Sequence, residues 1–204
     1  VVSKSLNSHI YKNYLINGEK ISPNVSKALE FYQNHILRAD QDLSPLLETY
    51  HFKNRIPAWK WELFSGILVG DTAKNSGASD LKNHEVKSAQ AGNSFEYLYY
   101  RKSWKKKLKK EVNINHVYVS YYEGYRNLDV RLISGKKLAH IFNSWIPELE
   151  EMYGGPKTTK SPRFRKSISF GAAKKFGKVI LEIRNGALLY GSPDPSSLGL
   201  LSGP

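Results

Sequence analysis

Hydrophobic positions change their period along the chain. Val25, Ala28, Leu29, Tyr32 and Ile36 recur at helical spacing to about Leu37. Ser22-Pro23, just ahead, reads as a cap followed by a proline in the first helical turn. Ser44-Pro45 predicts the start of a second, short helix with Leu46, Leu47 and Tyr50. A third helix is expected from near Pro57 through Trp59, Leu63, Phe64, Ile67 and Leu68, stopping at Gly70. Residues 1–22 are mixed and polar, so the first third of the chain is predicted to be helical.

Beyond Gly70 the period shortens. Alternating runs appear at 85–89, 116–122, 127–133 and 178–184, as strands with one better-buried side require. Val117, Val119 and Tyr121 share one face of the second run; in the fourth, Ile180, Glu182 and Arg184 face away from Val179, Leu181 and Ile183. Residues 94–110, with Phe95, Leu98, Tyr99 and Leu108 among many charges, are expected to be helical. So are residues 135–152, which open at Ser134-Gly135 and carry Leu138, Ile141, Phe142 and Trp145 before Pro147 breaks the period. The fold class is therefore α/β: a central mixed β-sheet flanked by helices, with a helical N-terminal region. One domain is expected over 1–190, its helical part at about 1–70 and its mixed-sheet core at about 71–190. The Gly-, Pro- and Ser-rich stretch 191–204 reads as a tail.

Charge narrows the class of partner. The 204 residues hold 31 basic against 18 acidic side chains, a net +13, which favours a polyanion such as nucleic acid. Residues 101–110, RKSWKKKLKK, are seven-tenths basic with Trp104 and Leu108 four apart. Read for function, Arg101, Lys102, Lys105, Lys106 and Lys109 contact phosphates and relieve their mutual repulsion; otherwise they form a solvated helix face. Residues 160–178 interleave Phe164, Phe170 and Phe176 with basic residues. They are either an exposed loop and hairpin or a DNA-recognition segment in which Arg163 and Arg165 take guanine edges or phosphates, beside Lys174 and Lys175. Cysteine is absent, which rules out disulfides and thiolate metal sites and fits a reducing, cytoplasmic setting. Neither a membrane span nor the apolar core of a signal peptide is expected, and there is no Walker loop, GxGxxG or GxSxG.

The chemistry concentrates in Ser76–Asn93, SGASDLKNHEVKSAQAGN. Glu85 and Lys87, two apart on a strand, point to one face roughly 7 Å apart, with Val86 turned to the core behind. Asn83 and His84 are placed at a hairpin reversal between Asp80 and Glu85, with the histidine in water. Two carboxylates beside one ammonium can hold a divalent cation and steer a water.

Asp80, Glu85 and Lys87 resemble the PD-(D/E)XK nuclease motif in its Asp…Glu-x-Lys form, over about 20 residues. Ser79 stands where that motif has proline, and the short interval from Asp80 to Glu85 leaves Asp71 as a rival first acid. The resemblance implies a type II restriction endonuclease-like fold: a helix, strands bearing the acids and lysine, then a crossover helix and further strands. It also implies Mg²⁺ held by Asp80 and Glu85 with the Val86 carbonyl, Lys87 acting on the attacking water, and an auxiliary glutamate at Glu62, unless Glu62 merely faces solvent. The expected substrate is double-stranded DNA, cut by a homodimer at a palindromic site. A junction resolvase or nicking enzyme of the same fold, or a non-catalytic DNA-binding protein, are the alternatives.

Overall fold

The computed structural model describes residues 14–16, 19–21, 24–51, 55–73, 81–154 and 163–191. A short antiparallel hairpin, β1 (Tyr14–Ile16) and β2 (Glu19–Ile21), precedes the first helix. Helix α1 (Val25–Tyr32) starts at Asn24, whose side chain accepts from the Lys27 amide at 3.0 Å; this is the cap, two residues later than Ser22-Pro23 suggests. A π-helical turn, Gln33–Leu37, carries the chain directly into α2 (Arg38–Thr49). Pro45 therefore lies inside α2 and does not start a helix. Only Asp40 of α2 is buried, so little packing depends on the backbone hydrogen bond that Pro45 cannot donate. Helix α3 (Ala58–Val69) runs from Pro57 to Gly70 as its sequence predicts, and Gly70 closes it in the left-handed conformation at φ 69°.

The strands follow: β3 (His84–Gln90), β4 (Phe95–Tyr100), β5 (Asn115–Tyr121), β6 (Leu128–Ser134), β7 (Arg163–Ile168), β8 (Lys178–Arg184) and β9 (Ala187–Gly191). Among them lie α4 (Trp104–Asn113), α5 (Gly135–Ser144), α6 (Ile146–Tyr153) and α7 (Phe170–Phe176). Five strands form one sheet in the order β3-β5-β6-β8-β9. β3 and β5 are parallel and the other pairs antiparallel, so the sheet is mixed. β4 pairs instead with β7 in a separate two-stranded ribbon. Residues 94–110 are thus not one helix: the period of two in Phe95, Tyr97 and Tyr99 makes a strand, and α4 starts only at Trp104. The basic stretch 160–178, where described, is β7 followed by α7. The described chain ends in β9, and residues 192–204 of the expected tail lie outside it.

Two cores lie on opposite faces of this sheet. On one, Tyr32 and Ile36 from the α1 side and Trp61, Phe64 and Leu68 of α3 pack on Val117, Val119, Val130 and Leu181. Trp61 stacks on Tyr121 at 5.4 Å, seating α3 over the sheet. On the other, Tyr97, Tyr99, Trp104, Leu138, Phe142 and Trp145 enclose the reverse face of the sheet under α4, α5, α6 and the ribbon. β5 is an interior strand, paired on both sides and buried on both faces, beyond the one-sided strand its valines suggest. Strict alternation also fails in β8. A register shift opposite Val130/Arg131 leaves Ile180 as an extra residue, and both Ile180 and Leu181 enter the first core. Among the described residues, no helix is long and apolar enough to cross a membrane.

Candidate functional site

β3 is an edge strand, and its alternation sets the site. Val86 packs against the first core. Glu85 and Lys87 face the second, where Lys87 Nζ lies 2.8 Å from Glu85 Oε1 and 4.9 Å from the centre of the Tyr97 ring. Both are largely enclosed, the lysine side chain 20% exposed and the glutamate 8%. Burial pushes the Glu85 carboxyl up, but Lys87, with Lys107, outweighs it and holds the acid below its ordinary range. Glu85 is therefore an ionised carboxylate, ion-paired with Lys87 on one face of a strand edge.

A buried polar network surrounds them. His116 Nε2 lies 2.8 Å from the Glu111 carbonyl, which can only accept, so Nε2 carries the hydrogen. Burial pushes this imidazole down to about 4, leaving it neutral with Nδ1 as an acceptor. Tyr97 donates to that nitrogen at 2.9 Å and accepts from Tyr118 at 2.7 Å. Helix α4 contributes Glu111, fully buried, which accepts from the Tyr99 hydroxyl and lies 3.7 Å from Lys107 Nζ. Burial pushes the Glu111 carboxyl up to about 7, against the pull of Tyr99 and Lys107. Gly135 lets the start of α5 close on the end of α4: a Cβ there would stand 2.2 Å from the Glu111 carbonyl.

Asp80 lies outside the described residues. Asp71 belongs to the other side of β3, accepting from His84 Nδ1 at 2.7 Å and from the amides of Asn83 and Thr72 at 2.8 and 2.9 Å. Burial pushes its carboxyl up, and these three donors bring it below its ordinary value. His84 is the first residue of β3 and fully buried; it is neither at a hairpin tip nor in water. Leu81 instead forms an antiparallel bridge with Ala73, and the chain bends at Lys82 and Asn83 into β3. Glu62 shares with Asp71, Lys27 and Leu81 a cleft of about 700 Å³ beside α3. α3 packs on the first-core face of β3, so Glu62 is brought toward Asp71 and away from the face bearing Glu85. That placement does not support an auxiliary role at Glu85.

The basic candidates divide by orientation. Lys102, Lys105, Lys106 and Lys109 are exposed, while Trp104 and Leu108 anchor α4 in the second core. The Arg101 guanidinium is bonded to the Tyr153 and Met152 carbonyls at 3.0 and 3.4 Å, closing the end of α6. Arg163 and Arg165 are exposed on β7, and Lys174 and Lys175 on α7.

Tyr97, Tyr99, Glu111, His116 and Tyr118 are not singled out by the sequence. The signal for Glu111 is nonetheless there: Trp104, Leu108 and Glu111 fall on one helical stripe, which puts an acid at a core position. Likewise His116 and Tyr118 alternate with the valines of β5. Among the described residues no group of three or more His, Cys, Asp or Glu side chains is arranged to hold a metal ion. On this face of β3, Glu85 is an ionised oxygen donor of the kind Mg²⁺ takes. The chain matches no model of a known protein family, and no curated protein matches it.

Proposed function

We propose that this chain is a Mg²⁺-dependent endonuclease that hydrolyses phosphodiester bonds of double-stranded DNA, with a PD-(D/E)XK-type, restriction-endonuclease-like fold. The observation that carries this reading is the Glu85–Lys87 pair, 2.8 Å apart on an edge strand. After that strand the chain returns through α4 to a parallel neighbour, β5, an order of elements that the resemblance implies. Glu85 and Asp80, with the Val86 carbonyl, would hold the metal. Mg²⁺ bound there supplies charge neutralisation at the phosphate and a more acidic water. The Lys87 ammonium, fixed by Glu85 and the Tyr97 ring, orients the attacking water and faces the negative charge that builds on the phosphoryl oxygens. In-line attack breaks the bond to the 3′ oxygen and leaves a 5′-phosphate. A two-fold homodimer acting in this way cuts both strands of a palindromic site.

Plasmid DNA incubated with the chain, in Mg²⁺ and in EDTA, tests the reading. Linear product is expected only with Mg²⁺, with ends at one short sequence. Lys87→Ala should lower turnover at least about 100-fold while leaving DNA affinity nearly unchanged, because the ammonium acts on the water and the transition state. Cleavage by Lys87→Ala at the wild-type rate would remove the assignment. Cutting confined to branched junctions would move the chain to the resolvase type. The enclosure of Glu85 favours a second reading, a basic DNA-binding protein without catalysis. Binding that ignores EDTA, with no cut under either condition, would establish that one.

A further inference from the structure

The β4–β7 ribbon has two unlike faces. Phe95 pairs with Ile168, Tyr97 with Lys166 and Tyr99 with Phe164, and the aromatic members of this face are buried in the second core. Opposed residues of an antiparallel pair project to the same side, so the intervening pairs form the outer face. These are Glu96 with Ser167, Leu98 with Arg165 and Tyr100 with Arg163. All are exposed except half-buried Leu98. Two guanidiniums, a phenol and a serine hydroxyl make this face rich in hydrogen-bond donors. Its one acid, Glu96, reaches Arg165 at 3.6 Å with both side chains more than half exposed, a weak pairing that leaves the guanidinium available.

The dimensions fit one ligand. Two strands about 4.8 Å apart can enter a DNA major groove about 12 Å wide. Arg163 and Arg165, two residues apart on one face, stand roughly 7 Å apart, close to two base-pair steps of about 3.4 Å. Each guanidinium fork matches O6 and N7 of guanine. Where β4 ends, exposed Lys102, Lys105 and Lys106 continue the positive surface toward flanking phosphates.

We propose that the outer face of the β4–β7 ribbon lies in the major groove of duplex DNA, with Arg163 and Arg165 reading two guanines separated by one base. This rests on the proposed DNA substrate and adds the groove and the residues that read the sequence. Binding of the full chain to a pool of randomised duplexes in EDTA tests it without requiring catalysis. Selected duplexes should share guanines in the spacing G-N-G. Replacing both by 7-deazaguanine, which lacks the N7 acceptor, should weaken binding about 10-fold or more. Arg163→Gln with Arg165→Gln should erase the preference at those two positions while the melting temperature holds. Unchanged affinity for 7-deazaguanine DNA overturns the proposal, as does displacement by a minor-groove ligand, a preference for single strands, or failure to bind duplex. The two readings fail separately. Binding that depends on N7 without Mg²⁺-dependent cutting removes the nuclease and keeps the ribbon; cutting that ignores N7 does the reverse.

Discussion

Asp71 accepts three hydrogen bonds, one of them from the buried His84 ring, and so ties the strand-side loop to β3. An amide in its place keeps one accepting oxygen and loses the charge. Asp71→Asn should therefore cost about 1–3 kcal/mol of stability. In a chain of this size that is a fall of several degrees in Tm, with the proposed Mg²⁺-dependent cleavage by the folded chain preserved. Asp80→Asn should show the opposite: a melting curve close to the parent and loss of Mg²⁺-dependent cleavage and of metal-dependent tightening on DNA. Thermal melts and cleavage assays on the two variants check both statements, and a catalytic loss confined to Asp71→Asn would give that residue the metal. The sequence alone leaves the two acids open because the partners that hold Asp71 come from further along the chain. Asp71 meets a histidine 13 positions away only once Leu81 has bridged Ala73.

At the scale of elements, α4 presents two faces with two tasks. Glu111, Trp104 and Leu108 point inward, whereas Lys105, Lys106 and Lys109 face solvent. If the outward lysines touch phosphates, Lys105→Gln, Lys106→Gln and Lys109→Gln together should flatten the slope of log K against log salt. The expected change is roughly 0.9 for each phosphate that a lysine no longer neutralises. An unchanged slope, measured on one duplex over a range of salt, would make them a solvated face. The helix itself is legible in part, through its two apolar anchors, but its start is not. The strand signal of Phe95, Tyr97 and Tyr99 runs into the lysines without a strong turn residue, and a helical reading absorbs both. α3 and strands β3, β5 and β6 are legible because period and end signals agree there. The extra residue in β8 is not, since a bulge is fixed by its partner strand and not by local pattern. The Glu85–Lys87 face is legible from spacing alone. The tyrosine and histidine network around it is hidden by the mistaken helix over β4 and by the prominence of the valines in β5.

For the molecule as a whole, two buried groups govern the response to pH in opposite directions. Glu111 titrates at about 7 when folded against 4.5 ordinarily, and His116 at about 4 against 6.5. The stabilisation from protonated Glu111 is complete below about 4.5 and lost as pH rises through about 7. That from neutral His116 is complete above about 6.5 and lost as pH falls through about 4. Between about 4.5 and 6.5 the two nearly cancel. Asp71 and Glu85, held below their ordinary values, contribute above the ordinary carboxylate range and are lost as pH falls through their folded pKa. The groups acting on Glu111 are Tyr99, Lys107, Glu85 and Lys87, so Glu111→Gln removes one titration and leaves His116 unopposed. Relative to the parent, the variant should lose on the order of 2–3 kcal/mol as pH falls across that window. Parallel stability curves from denaturant titrations at several pH values would refute this balance. The β4–β7 pairing has a consequence in time. During synthesis Phe95 has to wait for Ile168, some 70 residues later, to complete the ribbon. At about 5–20 residues per second the wait is on the order of 4–14 s. Throughout it an aromatic strand stands without its partner, so the stretch of synthesis between β4 and β7 is one in which the nascent chain is exposed to wrong pairing.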